Sequence, residues 1–282
     1  MTVKARPRTQ YSPIRHLAWA VWLNHDPVRC WMPAYAAYYD ASGTEHDGTS
    51  PLFVVGLAAT EARWLAFERE WNRKLRYLQL PYFHAKEYAH FKGPFERLKE
   101  ADPDKRMEAL GVLLHVIKRH IAKAFIVQLS QSVFDAADAD YHLNDVFRSP
   151  YPLAAGSCVA RVKAWMAAKH PASPMHHVFE KGDSGQGPFI ETLEREGIAG
   201  ITTNPKKDAQ GEWFRPFEAA DLVAYECAVA IRRNLQGVKR GPRYPVKLIV
   251  SHIPQEYYVH TVESIKAECE KYPTAFPRRE GR

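Results

Sequence analysis

The sequence predicts an α/β domain, a sheet flanked by helices, and three observations carry that expectation. Short runs rich in β-branched and aromatic residues alternate with longer stretches whose apolar residues recur every three or four positions. Two of the short runs end in turn sequences, A-S-G-T after Asp40 and G-D-S-G-Q-G after Lys181. With 46% hydrophobic and 25% charged residues over 282 positions, the chain has the composition of a globular protein and enough apolar side chain for one large core or two small ones.

The first strand is expected at Ala34–Asp40 (A-Y-A-A-Y-Y-D) and the second at Pro51–Ala58 (P-L-F-V-V-G-L-A), which makes 41–50 a hairpin-like connection. From Thr60 the period changes. Trp64, Phe67, Trp71, Leu75 and Leu78 mark an amphipathic helix with Thr60 as its cap. Met107, Leu110, Leu114, Ile117 and Ile121 mark a second helix, beginning near Asp102 with Pro103 in its first turn. Ala124–Val133 is expected as a strand, Pro152–Ala168 as a helix rich in small residues, and His176–Lys181 as a short strand. A brief helix at Phe189–Glu196 and a long one at Phe217–Leu235 follow. Val246–Ile253 is expected as a last strand, and Gln255–Cys269 as a last helix. Residues 1–30 form a basic, aromatic extension, 31–236 the main domain, and 237–282 a basic loop, a C-terminal strand–helix appendage and a tail.

The formal charge of +7 is concentrated at the ends. Lys4, Arg6, Arg8 and Arg15 stand in the first 16 residues with no acid, and three Arg against Glu280 close the chain. Total charge therefore does not identify a nucleic-acid binder. The four cysteines (Cys30, Cys158, Cys227, Cys269) are widely spaced with no C-x-x-C pair, so a zinc knuckle or disulfide framework is disfavoured and a reducing cytoplasm is the simplest setting. The longest apolar run, Leu17–Leu23, is seven residues, against roughly 20 needed to span a bilayer. It is followed by N-H-D-P-V-R, which lacks a signal-peptidase site.

Three acids stand out by position. Asp40 ends the first strand, Glu180 ends a later one, and Asp221 lies in the first turns of the long helix. If the strands are neighbours and the helix packs over their ends, three carboxylates converge, and a divalent cation with a preference for oxygen ligands would neutralise them. Two such ions can activate water and stabilise the leaving oxygen in phosphodiester hydrolysis. Taken singly, each acid has an ordinary explanation: a turn cap, a solvated strand end, and a helix N-terminal acid.

Four segments extend this picture. They are Y-Y-D-A-S-G at Tyr38–Gly43; F-H-A-K-E-Y at Phe83–Tyr88 with F-K-G at Phe91–Gly93; V-F-E at Val178–Glu180; and P-F-E-A-A-D-L-V-A-Y at Pro216–Tyr225. In this order, over about 200 residues, they resemble the motifs of the RNase-H-like family known as domain of unknown function 3800. The resemblance implies a mixed sheet flanked by helices and a divalent-metal nuclease site. Asp40, Glu180 and Asp221 would be its metal-binding acids for two Mg²⁺ or Mn²⁺ ions, Asp40 bridging them. Two departures stand out: Ala41 where the family usually has Glu, and Glu218 where Gln is usual, one helical turn before Asp221.

His84 and Glu87, three apart, share a helix face and would meet a metal-bound water or a phosphate, with His84 as proton carrier; packing of a loop on the sheet is the plain alternative. His84, Glu87 and His90 cannot form a zinc site, because successive threes on a helix spread the outer pair by about 120°. Of His176 and His177, only His176 shares Glu180's strand face. Lys181 lies beside Glu180 and is a second candidate near the scissile phosphate. Gly182, Gly185 and Gly187 form a turn, not a P-loop, and Ser157-Cys158 lack a hydrolase elbow. Arg232, Arg233, Lys239, Arg240, Arg243 and Lys247 follow the Asp221 helix with no intervening acid. They are candidates to grip phosphates, or else a helix C-terminus and a solvated loop.

The function these features favour is metal-dependent cleavage of DNA or RNA. The alternative is a catalytically depleted nucleic-acid-binding or assembly module. A third possibility is a subunit that docks a protein partner or a second copy through Trp19, Trp22 and Trp31.

Overall fold

The computed structural model describes Ser12, Ile14 and residues 34–43, 50–100, 103–182, 186–195, 197–198, 200–207, 211–237 and 243–279. The basic arm, Cys30, the three N-terminal tryptophans, Lys239 and Arg240 lie outside the described residues.

Six strands form one mixed sheet in the order β5-β4-β1-β2-β3-β6. β1 (Tyr35–Ser42) pairs antiparallel with β2 (Leu52–Thr60), and β2 antiparallel with β3 (Lys123–Leu129). On the other side of β1, β4 (Met175–Glu180) and β5 (Ile201–Asn204) run parallel to it. Both faces are covered. β1 and β2 are therefore apolar on both parities, as strands buried on two sides must be.

On one face Tyr38, Phe53, Val55, Leu57 and Val178 meet α1 (Glu61–Tyr77), α3 (Pro103–His120) and α8 (Arg215–Leu235). On the other, Tyr39, Val54, Phe125, Val127 and Phe179 meet α4 (Gln131–Asp138), α5 (Leu143–Phe147), α6 (Pro150–Lys169), α7 (Gln186–Arg195) and α10 (Val262–Lys271). The periodicity of α1 holds: Trp64, Phe67, Trp71 and Leu75 are buried, and the Thr60 hydroxyl accepts from the Arg63 amide at 3.4 Å. Each of those large side chains contributes roughly 2–3 kcal/mol of burial.

Two expectations fail near the C-terminus. Val246–Ile253 lies almost wholly in helix α9 (Tyr244–His252), and Gln255–Val259 is strand β6, parallel to β3. The run V-K-L-I-V suits either state on its own, but Pro245 pre-sets a helical first turn, and Pro245, Ile249 and Ile253 bury one side at i, i+4 spacing. The next segment, E-Y-Y-V, then meets the open edge of β3 and completes it, so the strand of the predicted appendage belongs to the main sheet. β3 ends at Leu129 instead of Val133 because Ser130 caps α4, its hydroxyl accepting from the Val133 amide. Among the described residues no helix is long and apolar enough to cross a membrane. Cys158, Cys227 and Cys269 are free thiols.

Candidate active site

The sheet's alternation decides which acids meet. Ala36, Tyr38 and Asp40 share one face of β1; His176, Val178 and Glu180 share the same face of β4. The two strands are in register, Tyr38 beside Val178 and Tyr39 beside Phe179, so Asp40 and Glu180 come level at neighbouring strand ends. α8 packs across that face, and it carries Asp221.

A polar ladder fixes α8. Between α1 and the short α2 (Ala85–Ala89), residues 81–85 run beside α8. The Arg215 guanidinium donates to the Pro81 carbonyl at 3.2 Å, Glu218 accepts from the Phe83 amide, and Asp221 Oδ2 accepts from the Ala85 amide at 2.7 Å. Every third residue of the helix thus serves every second residue of the loop. Three helical residues rise about 4.5 Å and two extended ones about 6.6 Å, close enough for flexible side chains to span the difference. The F-H-x-x-E and P-x-E-x-x-D segments are two sides of one structure.

Glu218 is spoken for within that structure. Its Oε2 accepts from Trp71 Nε1 at 2.6 Å and its Oε1 from Arg215 at 2.5 Å, while Arg215 also donates to Asn72 Oδ1 at 2.7 Å. Burial pushes the Glu218 carboxyl up to about 7, against the pull of Arg215 and Trp71. It organises the helix, with one carboxyl oxygen accepting from Trp71 and the other from Arg215. Ala41 itself packs with the opposite layer, alongside Val54 and Leu129, so its side chain points away from Asp40's face. A glutamate there would start on the far side of the sheet.

The sequence reading missed the cation at the centre. Lys206 follows β5, whose Asn204 lies opposite Glu180, and its Nζ reaches Glu180 Oε1 at 3.0 Å. Burial works against its charge, but the carboxylates of Asp40, Glu180 and Asp221 outweigh it and hold the ammonium above its usual range. All three predicted acids are therefore felt at one point. Asp221 is also pushed upward, in its case towards the neutral form, chiefly by burial; the Ala85 amide, His84 and Lys206 oppose that push. Asp40 Oδ1 accepts from the Ala41 amide at 2.8 Å. Gln186 holds the strand end behind Glu180, donating to the Glu180 carbonyl at 2.5 Å and accepting from the Gly182 amide at 3.1 Å.

His84 caps α2 and lines a small cavity with Phe83, Lys206, Trp213, Glu218 and Asp221. Its Nδ1 lies 3.2 Å from Glu87 Oε1, and Glu87 Oε2 accepts from Tyr82 OH at 2.6 Å. Burial raises the Glu87 carboxyl, but Tyr82, His84 and Lys206 prevail and its pKa is lowered. Gly93 stands at φ +55, where an added Cβ would lie 3.3 Å from Tyr82 OH and 3.5 Å from Glu87 Oε2. Tyr82 stacks on Trp213 at 4.2 Å, and Lys207 covers Trp213 at 4.4 Å.

Other candidates lie apart from this centre. His176 is four residues up β4 from Glu180, about 13 Å away along the strand, although it has the expected parity. Lys181 is exposed just beyond the strand, its amide bonded to the Asn204 carbonyl at 2.8 Å. Arg232 donates to Ser50 Oγ at 2.9 Å, and Arg243 pairs at 3.4 Å with Glu226, a buried acid of α8. Arg233 is half-buried near Glu226, and Lys247 is exposed. The basic segment thus has an acid that lies outside its own stretch of sequence. It begins about 16 Å along α8 from Asp221.

Among the described residues no three His, Cys, Asp or Glu groups stand close enough to hold one ion as placed. The donor chemistry nevertheless suits a hard divalent cation: one carboxylate from each of β1, β4 and α8 acts electrostatically on Lys206.

No protein-family profile matches the chain, and no curated protein does. Among solved structures, it is similar to a PCNA:RNase HII complex from Archaeoglobus fulgidus, at 13% identity over 78% of this chain and 87% of the other, with a TM-score of 0.38. It is also similar to Bst-RNase HIII in complex with Mn²⁺, at 12% identity over 86% of this chain and 69% of the other, TM-score 0.38. A mutant form of Bst-RNase HIII overlaps equally, with a TM-score of 0.37. Likeness at this level says nothing of activity.

Proposed function

We propose that the chain is a divalent-metal-dependent nuclease that hydrolyses phosphodiester bonds of DNA or RNA in a reducing, cytoplasmic setting. The observation that carries this reading is that Asp40 and Glu180 come level at neighbouring strand ends, and that both, with Asp221 of α8, act electrostatically on Lys206. These three residues would hold Mg²⁺ or Mn²⁺. Bound there, such an ion supplies an activated water and charge stabilisation for the leaving oxygen.

The chain's own groups do the positioning. The Ala85 amide orients Asp221. Gln186 fixes the backbone from which Glu180 projects. Glu87, itself held by Tyr82, engages His84 Nδ1 and leaves Nε2 to pass a proton to the departing oxygen. Exposed Lys247 and half-buried Arg233 are the members of the basic segment that would meet a phosphate.

The test is cleavage of single- and double-stranded DNA and RNA with Mg²⁺, with Mn²⁺ and with chelator. Asp221→Asn is expected to lower the rate at least 10²-fold, the low end of losses when a group that stabilises charge is removed. Equal rates in wild type and variant would remove the site. Salt-dependent binding that survives chelation, with no cleavage under any condition, would favour the binding-module alternative.

A further inference from the structure

The acids of the site are not the only groups with a built position there. Lys206 Nζ touches Glu180 at 3.0 Å, and its side chain lines the same small cavity as Asp221 and His84. Most exposed ion pairs are worth little because water screens them. This one differs on its acidic side, since Asp40 and Asp221 are buried and Glu180 is 14% exposed, while the Lys206 side chain is 37% exposed and remains open to solvent. Other nearby cations are committed elsewhere: Arg215 to Glu218, and Lys207 to the face of Trp213.

The root of Lys206 is also fixed. Two residues earlier Asn204 is paired with Glu180, the Lys206 carbonyl accepts from the Phe214 amide at 2.9 Å, and Lys207 bridges to Trp213, which stacks on Tyr82. The backbone cannot wander, but the four-carbon stem can swing. Lysine suits such a place, because it is a compact point charge on a flexible arm and not a planar fork.

Resting on the metal-site reading above, we propose that Lys206 is a positioning residue and a tethered counter-cation. Its ammonium holds Asp40, Glu180 and Asp221 together when no ion is bound, and it competes with a divalent cation for the same carboxylates. Two cations cannot share those oxygens without mutual repulsion, so the ion must displace the ammonium. Coupling of this kind is reciprocal: what Lys206 contributes to the ion-free cluster is subtracted from ion affinity.

The experiment is Mn²⁺ titration of the full chain, followed by the electron-spin signal of free Mn²⁺, with melting measured in chelator. Lys206→Met is expected to bind Mn²⁺ roughly tenfold more tightly or better, about 1.4 kcal/mol, and to melt lower than wild type in chelator. Lys206→Arg should return both properties towards wild type. Adding Asp221→Asn to Lys206→Met should abolish the gain in affinity and recover the melting temperature. If Lys206→Met alone does not fold without ion, folding of the double variant supports the proposal and its failure to fold overturns it. Wild type binding Mn²⁺ with Lys206→Met binding equally or more weakly overturns the proposal and leaves the metal site standing. No Mn²⁺ binding by either protein overturns both.

Discussion

Replacing Glu218 by Gln isolates one buried charge with little change of shape. Glu218 is 4% exposed, takes hydrogen bonds from Trp71 and Arg215, and its carboxyl is pushed by burial from 4.5 to about 7. The folded state therefore holds a proton that the unfolded chain has already released. Stability from this group is fully present below the unfolded value and is lost as pH rises from about 4.5 to about 7. At about 1.4 kcal/mol per unit, the loss is on the order of 3 kcal/mol by pH 8. A glutamine keeps an oxygen for Trp71 and a neutral side chain at every pH. Glu218→Gln should therefore match wild type near pH 5 and exceed it by about 2–3 kcal/mol near pH 8.

The comparison must be a difference between proteins. Burial lowers His177 and His260 to about 4, which gives wild type an opposing loss of stability as pH falls below about 6.5. Both proteins share that limb, and subtraction removes it. Urea unfolding followed by far-ultraviolet circular dichroism is the suitable assay, since Trp71 fluorescence would itself respond to the substitution. Parallel pH profiles, or a variant that weakens as pH rises, would show that Arg215 keeps the carboxylate charged and that burial does not dominate.

Two further outcomes follow from the packing. Arg243→Ala leaves Glu226, 2% exposed, without the cation 3.4 Å away, and should cost about 3 kcal/mol in chemical unfolding; Lys247→Ala, at an exposed position, should stay within about 0.5 kcal/mol. Equal costs would return Arg243 to the solvated surface. Gly43→Ala adds a Cβ at φ +109, 2.4 Å from the Pro51 carbonyl oxygen, and should lower stability by at least about 2 kcal/mol. An unchanged melting temperature would mean that the connection between β1 and β2 adjusts freely.

The sequence by itself determined the layers of this protein. The unbroken apolar run A-Y-A-A-Y-Y specifies a strand buried on both faces, and the Trp64, Phe67, Trp71, Leu75 spacing specifies a helix buried on one. The same parity puts Ala41 on the opposite side of β1 from Asp40, whereas the side shared by Asp40 and Glu180 came from the register of β1 with β4. What pattern could not decide was pairing. E-Y-Y-V became a strand only because the edge of β3 was open to it, and the four residues of β5 were too few to show a period.

Tertiary structure alone decided the charges as well. Glu226 lies outside the basic run in sequence and sits against Arg243 in space. Glu218, one turn from Asp221, faces Trp71 and Arg215 because residues 81–85 run beside α8. Lys206 stood in the sequence as one of two lysines after N-P. Its meaning depends on Coulomb energies that fall with distance through space and not along the chain. Hydrophobic periodicity is a local property and could be read residue by residue; electrostatic partnership is not, and required the fold.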